Sequence, residues 1–232
     1  MQYNQANSFT FSTLLASSVH DLKNILSAVL ESLDWLGSNV NDLTNEQNNE
    51  FEKASQLVAA VNSTLMELLC FYKFENDQYS MTRLEHNVAE CLGSQALFIG
   101  SLIKRGQIEV IVDCDEELAW CFDQTLVNTA IRNAAMNALK YAKKQLKLSA
   151  RAENGFLKLQ IEDDGVGYPE AMLGRIDAEL SRGVDLETNS TGLGLYFVGK
   201  IAKMHIVNNV PGYLELTNDS ALGGAAFKLY IP

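Results

Sequence analysis

Between Phe11 and Val40 the apolar residues recur in steps that alternate between four and three: Leu15, Val19, Leu22, Leu26, Val29, Leu33, Leu36 and Val40. This heptad seam predicts a long amphipathic helix with one apolar stripe. A second run, Phe51, Ala54, Val58, Val61, Leu65, Leu68 and Tyr72, keeps the alternation, and Thr44 with Gln47 reads as a capping box at its start. The short polar stretch Gly37 to Leu43 joins the two. Helices so connected pack antiparallel, and a lone pair leaves apolar flanks uncovered, so a second copy is expected to complete a four-helix bundle. The pattern predicts a homodimer through roughly residues 8–76.

From Glu75 to Arg83 the chain is polar and without period, which reads as a hinge. Beyond it the pattern changes to mixed helix and strand. Helices are expected near Val88 to Ile103, over Asp123 to Lys143 and over Gly194 to Met204. β-like runs fall at Ile108 to Val112, Leu146 to Ala150, Leu157 to Ile161, Tyr213 to Leu216 and Phe227 to Ile231. The expected fold class is α+β: a helical hairpin over residues 1–76, a hinge over 77–84, and an α/β sandwich over 85–232 with helices on one face of a mixed sheet.

Composition narrows the partners. An apolar content of 47% supplies material for real cores, and the net charge of −11 argues against nucleic acid, which needs a basic face. A partner with a basic patch fits better. Cys70, Cys91, Cys114 and Cys121 show neither metal-ligand spacing nor a disulfide framework, so reduced thiols in the cytoplasm are expected. The most apolar N-terminal part is interrupted by His20, Asp21 and Lys23, so no membrane span is expected. A stimulus would then be sensed by a separate protein or by a surface of this chain.

Four constellations carry candidate chemistry. His20 follows the seam residue Val19, which sets it at the edge of the stripe toward solvent. Asp21 beside it is placed to draw a proton from the imidazole, leaving one ring nitrogen free to attack a phosphorus atom, and Asn24 lies one helical turn on. Asn133 and Asn137 stand four residues apart on one helical face with Lys140 and Tyr141 following. Amide oxygens suit a hard cation and a lysine suits phosphate, although a plain polar helix face explains the same residues. In Ile161-Glu162-Asp163-Asp164-Gly165-Val166-Gly167 a strand ends in carboxylates and two glycines that let backbone approach a flat ligand, or make an ordinary acidic turn. Ser190-Thr191-Gly192-Leu193-Gly194-Leu195 opens a helix whose free N–H groups favour phosphate.

A histidine in a helical hairpin, then paired asparagines, then Asp-x-Gly-x-Gly, then Gly-Leu-Gly-Leu before a helix together resemble the sensor histidine kinase family with its Bergerat-type (GHKL) ATP-binding domain. The resemblance runs from about Thr10 to the end of the chain. It implies an ATP-dependent protein-histidine kinase that phosphorylates His20, with Asp21 as acid/base partner. Phosphate would pass to an aspartate on the receiver domain of a response regulator, and Asn24 would serve the reverse, phosphatase reaction. It further implies magnesium on Asn137 with Asn133 in support, Lys140 and Tyr141 near phosphates and ribose, and Asp163 on the adenine. Gly165 and Gly167 would shape the base pocket, and Thr191, Gly192, Leu193, Gly194 and Leu195 would bound the lid. Trp120 to Asp123 resembles the segment that leads into the asparagine helix. Three positions depart from the family pattern: Ile25 stands where many members have proline, Tyr168 to Thr191 holds no phenylalanine-rich box, and Gly223 to Phe227 lacks the usual threonines. The alternatives are a histidine phosphotransfer adaptor with a degenerate nucleotide pocket, a related conformational ATPase, and an anti-sigma type serine kinase. The hairpin weighs against the last two.

Overall fold

The computed structural model describes residues 78–103, 107–176 and 193–232 without a break. Before them it describes residues 22, 24–29, 31–33, 35, 36, 44, 47, 50, 51, 53, 54, 57, 58, 61, 65, 69, 70 and 72–74. The chain divides into two compact units, Met1–Ser80 and Met81–Pro232.

In the first unit every described residue in 22–36 and in 47–74 is helical. The expected capping box is present: Gln47 N–H donates to Thr44 Oγ1 at 3.2 Å and Thr44 N–H donates to Gln47 Oε1 at 2.9 Å. Each side chain thereby satisfies a backbone donor near the helix start that lacks an intrahelical partner. The seam residues Leu22, Val29, Leu36 and Val61 are exposed within a single chain, as are Ile25, Trp35 and Leu57. Leu15, Val19, His20, Asp21 and the connection Gly37 to Leu43 lie outside the described residues.

The second unit begins by tying down its own entry. Thr82 N–H donates to Asp123 Oδ2 at 2.9 Å, and the Arg83 guanidinium donates to the carbonyls of Ile206, Cys121 and Pro232 at 2.8, 3.1 and 3.0 Å. Thr82 to Leu84, the end of the stretch read as a hinge, are thus fastened to this unit. Strand β1 (Leu84–Asn87) pairs antiparallel with β3 (Ala119–Phe122). Asn87 ends β1 and caps helix α1 (Val88–Ser101), accepting from Glu90 N–H at 2.8 Å.

The main sheet has six strands in the order β2 (Glu109–Asp113), β4 (Gln145–Glu153), β5 (Phe156–Asp163), β10 (Ala226–Ile231), β9 (Tyr213–Thr217) and β6 (Gly174–Ile176). It is mixed: β2 runs parallel to β4 and every other pairing is antiparallel. The β4–β5 hairpin closes on Asn154 and Gly155, both at positive φ (51° and 79°), the backbone that matches the twist of the flanking strands. A small hairpin of β7 (Ile206–Val207) and β8 (Val210–Pro211) stands apart from this sheet.

Helices α1, α2 (Gln124–Leu139) and α3 (Leu193–Met204) pack against one face of the sheet. Alternate strand residues point there, so Leu146, Leu148, Leu157, Leu159, Leu214 and Leu216 are fully buried against Leu92, Ile99, Leu126, Ile131 and Ile201. Each such side chain contributes about 1.5–3 kcal/mol by leaving water. On the opposite face Tyr213 stacks on Tyr230 at 4.3 Å between centroids, and Phe156 meets Tyr213 edge-on at 5.5 Å. The α/β sandwich expected from the sequence is present. Its short edge pieces, β1 with β3, β6, and β7 with β8, carry two to four residues each and show no period in the sequence.

Candidate nucleotide site

Helix α2 starts on Asp123, whose Oδ1 accepts from Leu126 N–H at 3.1 Å. It ends at Leu139, four residues before the expected Lys143. The cause is Asp164, whose carboxylate takes the N–H groups of Lys143 at 2.7 Å and Lys144 at 2.9 Å. Those donors are diverted from carbonyls one turn back, so the helix stops and the chain turns into β4. Although desolvation opposes its charge, the backbone N–H groups of Lys143, Lys144 and Gln145 hold the Asp164 carboxyl below its ordinary range.

On the exposed edge of α2 the amides form a row. Lys140 Nζ donates to Asn137 Oδ1 at 3.4 Å, and Asn137 Nδ2 donates to Asn133 Oδ1 at 3.4 Å. The next element over the row is the start of α3. A Cβ on Gly194 would stand 2.7 Å from Asn133 Oδ1, so any larger residue there would displace the Asn133 amide. Leu195 beside it is half-buried. Thr191 and Gly192 lie outside the described residues, as does the side chain of Leu193.

Asp163 ends β5 and is 3% exposed. Its Oδ1 accepts from Gly165 N–H at 2.8 Å and from Ala225 N–H at 3.3 Å. Among the described residues no donor is recorded for Oδ2. A buried carboxylate with one oxygen saturated and the other open is costly unless a donor arrives from outside. Gly165 follows because a Cβ there would meet the Tyr141 carbonyl at 2.6 Å, which brings Tyr141, 61% exposed, beside the acidic turn. Burial first, then Asp163 and Tyr141, push the Tyr168 phenol well above the ordinary range.

Of the residues singled out in the sequence, Asn133, Asn137, Lys140, Tyr141, Asp163, Gly165 and Gly194 therefore fall into two contiguous groups in this unit. Gly167 continues the turn at φ +81°. Asn24 is exposed and helical in the first unit; His20 and Asp21 are outside the described residues. The sequence reading missed Asp164, Tyr168, Asn218 and the backbone N–H of Ala225. Only Asp164 carried a signal, as the second carboxylate of the acidic turn.

No group of three His, Cys, Asp or Glu side chains suited to a metal occurs among the described residues. The Asn133–Asn137 amides fit a hard cation whose remaining ligands are water and phosphate oxygens, the arrangement magnesium favours. Also among the described residues, no helix is long and apolar enough to cross a membrane.

His205 supports the site from below. Its Nε2 accepts from Asp123 N–H at 3.1 Å and its Nδ1 meets the Ile201 carbonyl at 2.8 Å, so the neutral ring with hydrogen on Nδ1 satisfies both. Burial depresses its pKa, the Ile201 carbonyl opposes, Arg83 lowers it further and Asp123 opposes again. The folded pKa lies below the unfolded one of about 6.5. The unfolded chain thus binds the extra proton first, and stability present above pH of about 6.5 is lost as pH falls through that value toward the folded pKa. The melting temperature is expected to fall between pH 7.5 and 5.5, and to fall less in His205→Gln. Equal slopes in the two proteins would remove His205 from the account.

Residues 122–232 match the family of histidine kinase-, DNA gyrase B- and HSP90-like ATPases. This part of the chain is similar to the ATPase domain of that family. Over 95% of its length the chain is 25% identical to the sensor histidine kinase RcsC of Escherichia coli strain K12, of which it spans 23%. Over 94% it is 25% identical to the virulence sensor histidine kinase PhoQ of Salmonella typhimurium, of which it spans 43%. The chain therefore corresponds to less than half of either relative. Among solved structures, full-length ShkA in complex with AMPPNP superposes with a TM-score of 0.63 at 19% identity, over 94% of this chain and 45% of that one. The chain is a homologue of sensor histidine kinases.

Proposed function

We propose that the chain is the core of an ATP-dependent protein-histidine kinase of a two-component system. The observation that carries the proposal is Asp163: a buried carboxylate with one oxygen saturated by backbone and the other open, at a turn that Tyr141 approaches. An exocyclic adenine amine is a donor of the right kind for that oxygen. AMPPNP in the ShkA complex supports an adenine nucleotide as ligand for this fold. Asn137 and Asn133 hold magnesium, Lys140 meets the phosphates, and Gly165, Gly167 and the segment Thr191 to Leu195 border the nucleotide. The magnesium ion would neutralise charge on the phosphate oxygens. Lys140, which donates to Asn137 Oδ1, turns its ammonium to the phosphates when that oxygen is taken.

His20 attacks the γ-phosphorus of ATP through one ring nitrogen while Asp21 takes the proton from the other; ADP leaves. An imidazole of ordinary pKa, about 6.5, is largely neutral at pH 7 and needs no special tuning for this role. The phosphoryl group then passes to an aspartate on a response regulator receiver domain, and Asn24 orients water for the reverse, phosphatase reaction. The exposed apolar residues of the first unit, Trp35 at 62% and Leu57 at 66% among them, favour a homodimer built on a helical hairpin over residues 1–76. Of the hinge expected over 77–84, Thr82 to Leu84 are held to the following unit, so hinging falls before them, ahead of the catalytic domain over 85–232. A separate sensor protein and a cytoplasmic setting complete the reading.

Incubation of the purified chain with magnesium and γ-labelled ATP tests it. Label that is stable to alkali and lost in acid is the expected result. No label together with no nucleotide binding would overturn the kinase and leave the phosphotransfer adaptor.

A further inference from the structure

Asn218 lies just beyond β9, on the surface and outside every motif of the sequence. Its Oδ1 accepts from the backbone N–H of Tyr168 at 2.7 Å, and its Nδ2 donates to the Tyr168 carbonyl at 2.9 Å. One side-chain amide thus closes both backbone groups of a residue fifty positions away. A primary amide can do this because it carries a donor and an acceptor side by side; a carboxylate cannot donate and a hydroxyl cannot span both groups.

The clasp also dictates its neighbour. Gly167 sits at φ +81°, and a Cβ there would stand 2.7 Å from Asn218 Oδ1 and 2.8 Å from its Cγ. Gly167 therefore serves two constraints, the left-handed backbone and the room that the amide needs. Directly after it the chain carries Tyr168, both of whose backbone groups the amide holds. Between Asp163 and this clasp only Asp164, Gly165, Val166 and Gly167 intervene. Asp164 is anchored to Lys143 and Lys144, whereas Val166 is 81% exposed. The turn is held at its start by Asp163 and Asp164 and at its far end by Asn218.

We propose that Asn218 is a positioning residue of the nucleotide site: by clasping the Tyr168 backbone it fixes the far end of the Gly165–Gly167 turn that borders the base. This rests on the reading of the Asp163 site as a nucleotide pocket. Asn218 does not touch the ligand and acts only through Tyr168. Its effect falls on the ground-state affinity for the nucleotide and spares the phosphoryl-transfer step.

The test is calorimetric titration of the full chain with ADP at fixed magnesium, alongside the rate of labelling from ATP. Asn218→Ala is expected to weaken ADP binding about ten-fold, the loss of two hydrogen bonds at one clasp. It should raise the KM for ATP by a similar factor while leaving kcat at saturating ATP within about two-fold. Asn218→Asp keeps the acceptor for the Tyr168 N–H and opposes the Tyr168 carbonyl, so its affinity should fall between the two. Asp219→Ala, which removes the partner of Lys228 on the same loop and does not reach Tyr168, should bind ADP as the wild type does. Asn218→Ala and Asn218→Asp that both melt earlier yet bind ADP like the wild type would reduce Asn218 to a structural turn and overturn the proposal, with the nucleotide reading intact. A wild-type chain that binds no nucleotide would bring down both together.

Discussion

Asp163→Asn is expected to weaken adenine nucleotide binding by about 10- to 150-fold while leaving the fold in place. Asparagine has the shape of aspartate, and its carbonyl oxygen is able to keep the N–H groups of Gly165 and Ala225 that Oδ1 now accepts. That choice puts the amide nitrogen where Oδ2 stood. A donor then faces the donor amine of the base, and a hydrogen bond to a charged acceptor, about 1.5–3 kcal/mol, is lost with nothing in return. Every 1.4 kcal/mol is ten-fold in affinity, which gives the stated range. Two measurements separate loss of ligand from loss of structure. Without ligand the variant should melt near the wild type; with ADP in large excess the wild type should gain stability through mass action and the variant should gain far less. A variant that keeps its full ADP-dependent rise in melting temperature would show that the open oxygen of Asp163 does not read the base.

Local features were the ones that the sequence disclosed. Thr44 and Gln47 are three residues apart, and their reciprocal bonds follow from the spacing. The strands β4, β5, β9 and β10 announce themselves because one face is buried under helices and every second residue is apolar. Asn133 and Asn137 are likewise legible, since four residues on a helix bring two side chains to one edge. What escaped was set by partners distant in the chain. Helix α2 ends early because Asp164 takes the N–H groups of Lys143 and Lys144 across twenty positions or more. Asn218 finds Tyr168 across fifty, and His205 finds Asp123 across eighty-two. No period in a single sequence encodes such pairs. The short strands β1 and β3 escaped for a related reason: four paired residues each are held by the neighbouring helix caps, with little alternation of their own.

Two further substitutions should abolish phosphorylation for opposite reasons, and nucleotide affinity tells them apart. His20→Ala removes the proposed acceptor and leaves the second unit unaltered; it is expected to incorporate no label and to bind ADP within about two-fold of the wild type. Asn137→Ala removes the central amide of the row that links Lys140 to Asn133. It is expected to lower labelling by at least about 100-fold, the size of effect seen when one preorganised charge-stabilising group is lost. Its affinity for ADP should also lose most of its dependence on magnesium. Mixing the two inactive chains then asks about the dimer. If subunits exchange and one copy phosphorylates its partner, the chain with an intact His20 receives label from the chain with an intact Asn137. If each copy phosphorylates itself, the mixture stays dark, because no chain holds both groups. Label that survives His20→Ala would move the acceptor elsewhere, whereas full labelling by Asn137→Ala would detach the amide row from catalysis.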